Sequence, residues 1–145
     1  MAVAAPEQEV RAEAKWVRVS ARKARLVAEH IRGRSVPEAR TVLAFTQRAA
    51  ARELEKVLRS AVANAETNPT LNWNGDDLYV SAAYVDEGPT IKRWQMRARG
   101  RLGRIHKRTC HITIKVAQRP GAAAAAGQST TRRRKQTEQT EEATD

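Results

Sequence analysis

The chain has 145 residues, 27 Lys plus Arg against 16 Asp plus Glu, a formal charge of +11 and only 4% aromatics, a size that suits one ordinary domain. Its apolar runs fall short of the roughly 18 residues a membrane span needs, and Met1 to Pro6 lack the charged start and apolar core of a signal peptide, so a cytosolic protein is expected. Cys110 is the single cysteine; no internal disulfide can form, and the fold must rest on its core or on a partner.

Charge is unevenly placed along the chain. Residues 1–87 hold 13 basic and 12 acidic side chains, residues 88–137 hold 14 basic and no acidic ones, and the last eight carry four acids. Solubility is served by mixed signs, whereas an acid-free stretch repels itself until an anion neutralises it. Nucleic acid is the expected partner.

Residues 1–13 show little periodicity and are expected to form a flexible extension. Lys15 to Ser20 alternate, with Trp16 and Arg18 on one face and Val17 and Val19 on the other, which predicts a short strand. Ser20 offers an N-cap to a helix in which Ala24, Val27, Ala28 and Ile31 recur at helical spacing until Gly33 closes it. The other face of that helix carries Arg22, Lys23 and Arg25 in its first turns, where the helix dipole disfavours cations unless an external anion compensates. Ser35-Val36-Pro37-Glu38 is a capping box that starts a second helix to about Phe45. Thr46 is placed to cap a third, in which Ala50, Leu54, Val57, Leu58, Ala61, Val62 and Ala65 keep the period until Asn68-Pro69 stops it. Asn74-Gly75 is a turn signal, and Leu78 to Val85 read as a strand.

Ile112, Ile114 and Val116 alternate with His111, Thr113 and Lys115, the pattern of a strand with one buried face. Gly100 and Gly103 can both take positive φ, so residues 88–116 are read as a hairpin whose base joins the Leu78 strand. Lys92 to Arg108 hold eight Lys or Arg and too few apolar residues for a core. The outer hairpin should therefore project, with thirteen residues per arm reaching roughly 40 Å. After Pro120 the chain turns to Gly-Ala5-Gly, Ser-Thr-Thr and the tetrad Arg132 to Lys135, which reads as a disordered tail. The tetrad is as readily a solvated charge run as a set of phosphate contacts.

Candidate chemistry is sparse. Cys110 and His111 are neighbours on a strand and point to opposite faces, so with His106 they do not make the four converging ligands of structural zinc, and no metal or cofactor is expected. His30 reads as an ordinary packed or surface imidazole. There is no P-loop, nucleophile elbow or dinucleotide fingerprint, and no enzyme is expected. Gly100-Arg101-Leu102-Gly103 has the letters of a KH-domain clamp but lies between strands, where a hairpin turn is the better account. Trp94, between Arg93 and Arg97, can stack on an exposed base or pack across the ribbon on Leu102 or Ile105. Arginine forks bind phosphate bidentately and stack on bases.

The Ser-Ala-Arg-Lys-Ala-Arg helix, the Asn-Ala-Glu-Thr-Asn helix end, Asp86 to Arg93, Arg97 to Arg101 and Lys107 to Ile114 together resemble the bacterial large-subunit ribosomal protein family uL22, over about Ala14 to Arg119. The resemblance implies an α+β domain of three helices on a small antiparallel sheet, with a long projecting basic β-hairpin that threads the rRNA and lines the polypeptide exit tunnel. Its partners would be 23S-type rRNA, neighbouring large-subunit proteins and the nascent chain, with no membrane and no DNA. The expected rRNA contacts are Arg18, Arg22, Lys23 and Arg25 on the body. Along the hairpin they are Lys92, Arg93, Trp94, Arg97, Arg99, Arg101, Arg104, His106, Lys107, Arg108 and His111. By the same resemblance Ile91, Lys92 and Arg93 match a stretch associated with macrolide tolerance, and Arg97, Ala98, Arg99, Gly100 and Arg101 match the tip beside the tunnel constriction. Trp94, Gln95, Leu102 and Gly103 depart from the family pattern. The alternative is an architectural DNA-binding protein with a basic ribbon arm, for which Leu102 between glycines is a poor wedge.

Overall fold

The computed structural model describes residues 8–71 and 73–119. In chain order the elements are β1 (Val10–Val17), α1 (Ala21–Ile31), α2 (Val36–Phe45), α3 (Ala49–Thr67), β2 (Leu78–Glu87), β3 (Ile91–Met96), β4 (Leu102–Lys107) and β5 (Cys110–Gln118). Three strands form an antiparallel sheet in the order β1-β5-β2, and β3 and β4 pair separately as a two-stranded ribbon. Helices α1 and α3 pack against the sheet, α1 on β2 and α3 on β1 and β5, and α2 lies against α3.

Each helix exists because its apolar stripe has somewhere to go. Ala24, Val27, Ala28 and Ile31 of α1 are buried, as are all seven positions whose period marks α3. Burying a side chain such as Leu54, Leu58 or Ile114 contributes about 1.5–3 kcal/mol, enough in sum to hold a domain without disulfide or metal. Gly33 follows α1 at φ +72°, the left-handed position that closes a helix. The backbone just beyond α1 then covers the outer edge of β2: Gly33 N–H donates to the Val80 carbonyl, and Val80 N–H donates to that of Arg34. A free sheet edge is thereby blunted.

Several sequence expectations are corrected. Val10 to Glu13 are not a frayed end but the first half of β1, because Val10 and Ala12 pair with Val116 and Ile114 and Ala12 enters the core. Ser20 and Ser35 precede their helices, but neither side chain makes a capping bond, so the Glu38 box marks the boundary without closing. Thr46 does not cap α3, whose N-cap is Arg48. It ends α2 instead, its hydroxyl donating to the Val42 carbonyl at 2.6 Å. Strand β5 has the buried face expected, Ile112, Ile114 and Val116, but its central place in the sheet also leaves Thr113 on the opposite face only 6% exposed, in register between Glu13 and Tyr84.

The hairpin is also shorter than thirteen free residues per arm. Its lower part belongs to the domain sheet, and the separate ribbon has six cross-strand pairs, from Ile91–Lys107 to Met96–Leu102, or about 20 Å of strand. The expected tail beyond Pro120, with the Arg132 to Lys135 tetrad, and residues 1–7 of the expected extension lie outside the described residues.

Candidate nucleic-acid interface

The ribbon leaves the body at a tight crossing. Gly88 N–H donates to the Thr109 carbonyl at 3.0 Å, and the buried Thr109 hydroxyl donates to the Pro89 carbonyl at 2.7 Å. A Cβ on Gly88 would fall 2.5 Å from the Thr109 hydroxyl oxygen and 3.2 Å from its carbonyl carbon. Only glycine lets the two strands approach this closely.

At the other end the turn is built from Arg97 to Arg101, with Arg97 N–H donating to the Arg101 carbonyl at 2.7 Å. Arg99 at φ 58° and Gly100 at φ 67° supply the left-handed backbone. The expectation that Gly103 turns the chain is overturned, since Gly103 pairs with Gln95 inside β4. Its missing side chain serves another end: an added Cβ would meet the Arg97 side chain at 3.0–3.1 Å. The Arg97 stem therefore lies across the ribbon.

Alternation sorts the ribbon into two faces. Ile91, Arg93 and Gln95 share one with Gly103, Ile105 and Lys107; Lys92, Trp94 and Met96 share the other with Leu102, Arg104 and His106. Trp94 faces away from Ile105 and shares its face with Leu102. It remains 60% exposed, and the Arg104 guanidinium lies 5.0 Å from its ring centroid, a cation–π pair worth about 0.5–1 kcal/mol at such a site. Met96 and Leu102 are exposed beside it, an apolar stretch that sequence reasoning missed; pairing register, not spacing along the chain, brings the three together.

The two basic regions meet at the ribbon root. Arg18 from the link before α1 and Lys23 from its first turn line a groove of about 690 Å³ whose other wall is Ile91, Arg93, His106, Lys107 and Arg108. Ser20 and Thr109 complete the lining, which among the described residues includes no carboxylate. Among the described residues none of the ribbon cations forms a salt bridge; the ion pairs all lie on the body. Helix α1 has no acidic residue in its first turn, so its dipole adds to the positive potential there.

Not every predicted contact residue joins this surface. Lys92, Arg97, Arg99, Arg101 and Arg104 are exposed along the ribbon with Ala98 and Gly100, and Arg22 is exposed on α1. Arg25 instead donates from Nε to the Val85 carbonyl at 2.9 Å, tying α1 to β2. His111 is half-buried, and its Nδ1 accepts from the Trp16 backbone N–H at 3.1 Å. Both carry packing work that their spacing does not announce. Cys110 is fully buried, with burial pushing its thiol pKa up. No cluster of three His, Cys, Asp or Glu able to hold a metal occurs among the described residues, and no helix there is long and apolar enough to cross a membrane.

The sequence is similar to those of known proteins. The sequence profile of the family described as Ribosomal protein L22p/L17e matches residues 12–117, a span that takes in the helices, the whole ribbon and all but the outermost residues of the sheet. The chain is 55% identical over 111 residues to the large ribosomal subunit protein uL22 of Halothermothrix orenii, covering 77% of this chain and 96% of the relative. It is 57% identical over 107 residues to that of Ligilactobacillus salivarius, covering 74% and 91%, and 52% identical over 111 residues to that of Carboxydothermus hydrogenoformans. With nearly all of each relative's length matched and more than half of the aligned positions identical, the chain belongs to the ribosomal protein L22p/L17e family.

Proposed function

We propose that this protein is a structural constituent of the large ribosomal subunit, acting in the cytoplasm, which binds 23S-type rRNA and draws its strands together by neutralising phosphate charge. The observation that carries this reading is the acid-free groove in which Arg18 and Lys23 of the body face Arg93, Lys107 and Arg108 of the ribbon. Two cationic walls on one crossing can take phosphates from two RNA strands, which otherwise repel. Family membership makes the role structural rather than enzymatic.

The remainder of the ribbon has a complementary part. A two-stranded ribbon with no core is marginal in water, and RNA packed along both faces would hold its shape. Arg97 to Arg101 then form a rigid cationic turn within the particle, beside the exit path of the nascent polypeptide, where their charge sets local potential and their bulk sets width. Neighbouring large-subunit proteins flank the body.

Sucrose-gradient sedimentation of a native lysate through high salt, with the protein followed by antibody, tests the reading. Retention with large subunits and release only by RNase is expected. Failure to sediment, or release by DNase, would replace it with an architectural DNA-binding role.

A further inference from the structure

Strand β1 begins in regular alternation. Val10, Ala12 and Ala14 face inward and pack on the core, so the next inward position would fall to Trp16. It does not. Between Ala14 and Val17 the register slips, with Lys15 and Trp16 together opposing His111 of β5. This is a β-bulge, which re-aims a side chain on an edge strand. Val17 takes the inward place, and the indole, the largest apolar surface on the strand, is turned out to 64% exposure.

The backbone holds an unfavourable conformation to do this. Trp16 has φ 54°, a left-handed position that glycine adopts freely and an aromatic residue rarely does. Its N–H donates to His111 Nδ1, and the two rings meet edge to face with centroids 5.9 Å apart. The indole is thus fixed rather than merely left over. It stands two residues before Arg18, which lines the cationic groove, and its His111 support has Nε2 beside Gly88 at the ribbon crossing.

From these observations we infer that Trp16 is a stacking platform for an unpaired RNA base at the ribbon root. A fixed, exposed aromatic two residues from the groove-lining Arg18 matches the design of single-strand RNA sites, where cations track the backbone and a ring carries the base. The cations that follow it in the chain and line the groove, Arg18 and Lys23, favour RNA over a basic protein segment as occupant. The inference rests on the rRNA-binding reading above and adds to it a base contact that no charge count reveals.

Strain makes the test sharp. In the full-length chain, Trp16→Gly removes the indole and relieves the backbone, so its thermal midpoint should hold or rise. Its affinity for a full-length large-subunit rRNA transcript should nevertheless fall about tenfold, within the range for losing one stacked base. The salt slope should stay unchanged, because no phosphate contact is removed. Trp16→Phe keeps a ring and should recover most of the affinity. Undiminished binding by the glycine variant would overturn the platform while leaving rRNA binding intact, and would assign the exposed ring to a protein partner. A lowered midpoint, with the phenylalanine variant binding as weakly as the glycine one, would make the residue structural and also overturn it. If the wild-type chain itself does not bind the transcript, the rRNA reading falls first.

Discussion

Strands β5 and β4 are separated by two residues and share the same extended geometry, yet they persist for opposite reasons. In β5, Ile112, Ile114 and Val116 are fully buried between two neighbouring strands and under α3. In β4, no residue is buried, and the strand has one partner. The first is held by hydrophobic burial and the second by ladder bonds and the tight crossing at Gly88 and Thr109, and on the proposed function rRNA would supply what the ribbon lacks in burial. Where a chain carries both kinds of strand, burial marks the part that folds alone and charge marks the part that is completed by binding.

Variants can break that contrast from either side. Ile114→Ala should have the largest effect, about 2–5 kcal/mol of unfolding free energy for a core truncation, read by urea denaturation. Binding should fail only because the body fails. Gly88→Ala acts at the boundary: its Cβ would crowd Thr109, and overpacking of this kind costs about 1–3 kcal/mol. Since the clash can also be relieved by tilting the ribbon, the variant should lose more rRNA affinity than its stability loss explains.

Removing Arg97, Arg99 and Arg101 together should leave the unfolding free energy within about 0.5 kcal/mol, as expected for exposed sites. Binding to rRNA should weaken, and the salt dependence should flatten by about 0.7–0.9 per lost phosphate contact. An unchanged slope would remove the tip from the binding surface.

The smallest effect belongs to Glu9, whose carboxylate accepts from Lys115 at 2.8 Å and from the Ser81 hydroxyl at 2.6 Å. The Lys115 hydrogen bond first, then that of Ser81, hold its pKa below the usual carboxylate value. The unfolded chain therefore binds the proton more tightly, so the contribution is present above the ordinary carboxylate pKa and is lost as pH falls through the lowered one. Glu9→Gln should show a slightly lower thermal midpoint at neutral pH, and the gap should close in acid. A gap that persists at low pH would show that charge is not its source.

Much of this was legible in advance. The α3 period named seven positions that all prove buried, and the acid-free run from residue 88 located the ribbon. Other features were hidden because they depend on partners distant in sequence. Val10 to Glu13 look like a frayed end until β5 pairs with them, and Thr46 looks like an N-cap until α2 reaches it. Arg25 and His111 look like wholly free groups until one bond of each, to Val85 and to Trp16, is in place.

Composition and periodicity by themselves determined the helices, the body core and the place where positive charge accumulates, because those depend on which residues recur at 3.6 or 2 positions and on which acids are missing. Tertiary structure alone decided that β5 lies in the middle of the sheet, that the ribbon parts from it at Gly88 and Thr109, and that Lys23 of a helix faces Arg93 of a strand. It also decided that a bulge opposite His111 turns Trp16 outward. Each of these is a matter of register between strands far apart in the chain, and a one-residue slip in register reverses which face a side chain occupies.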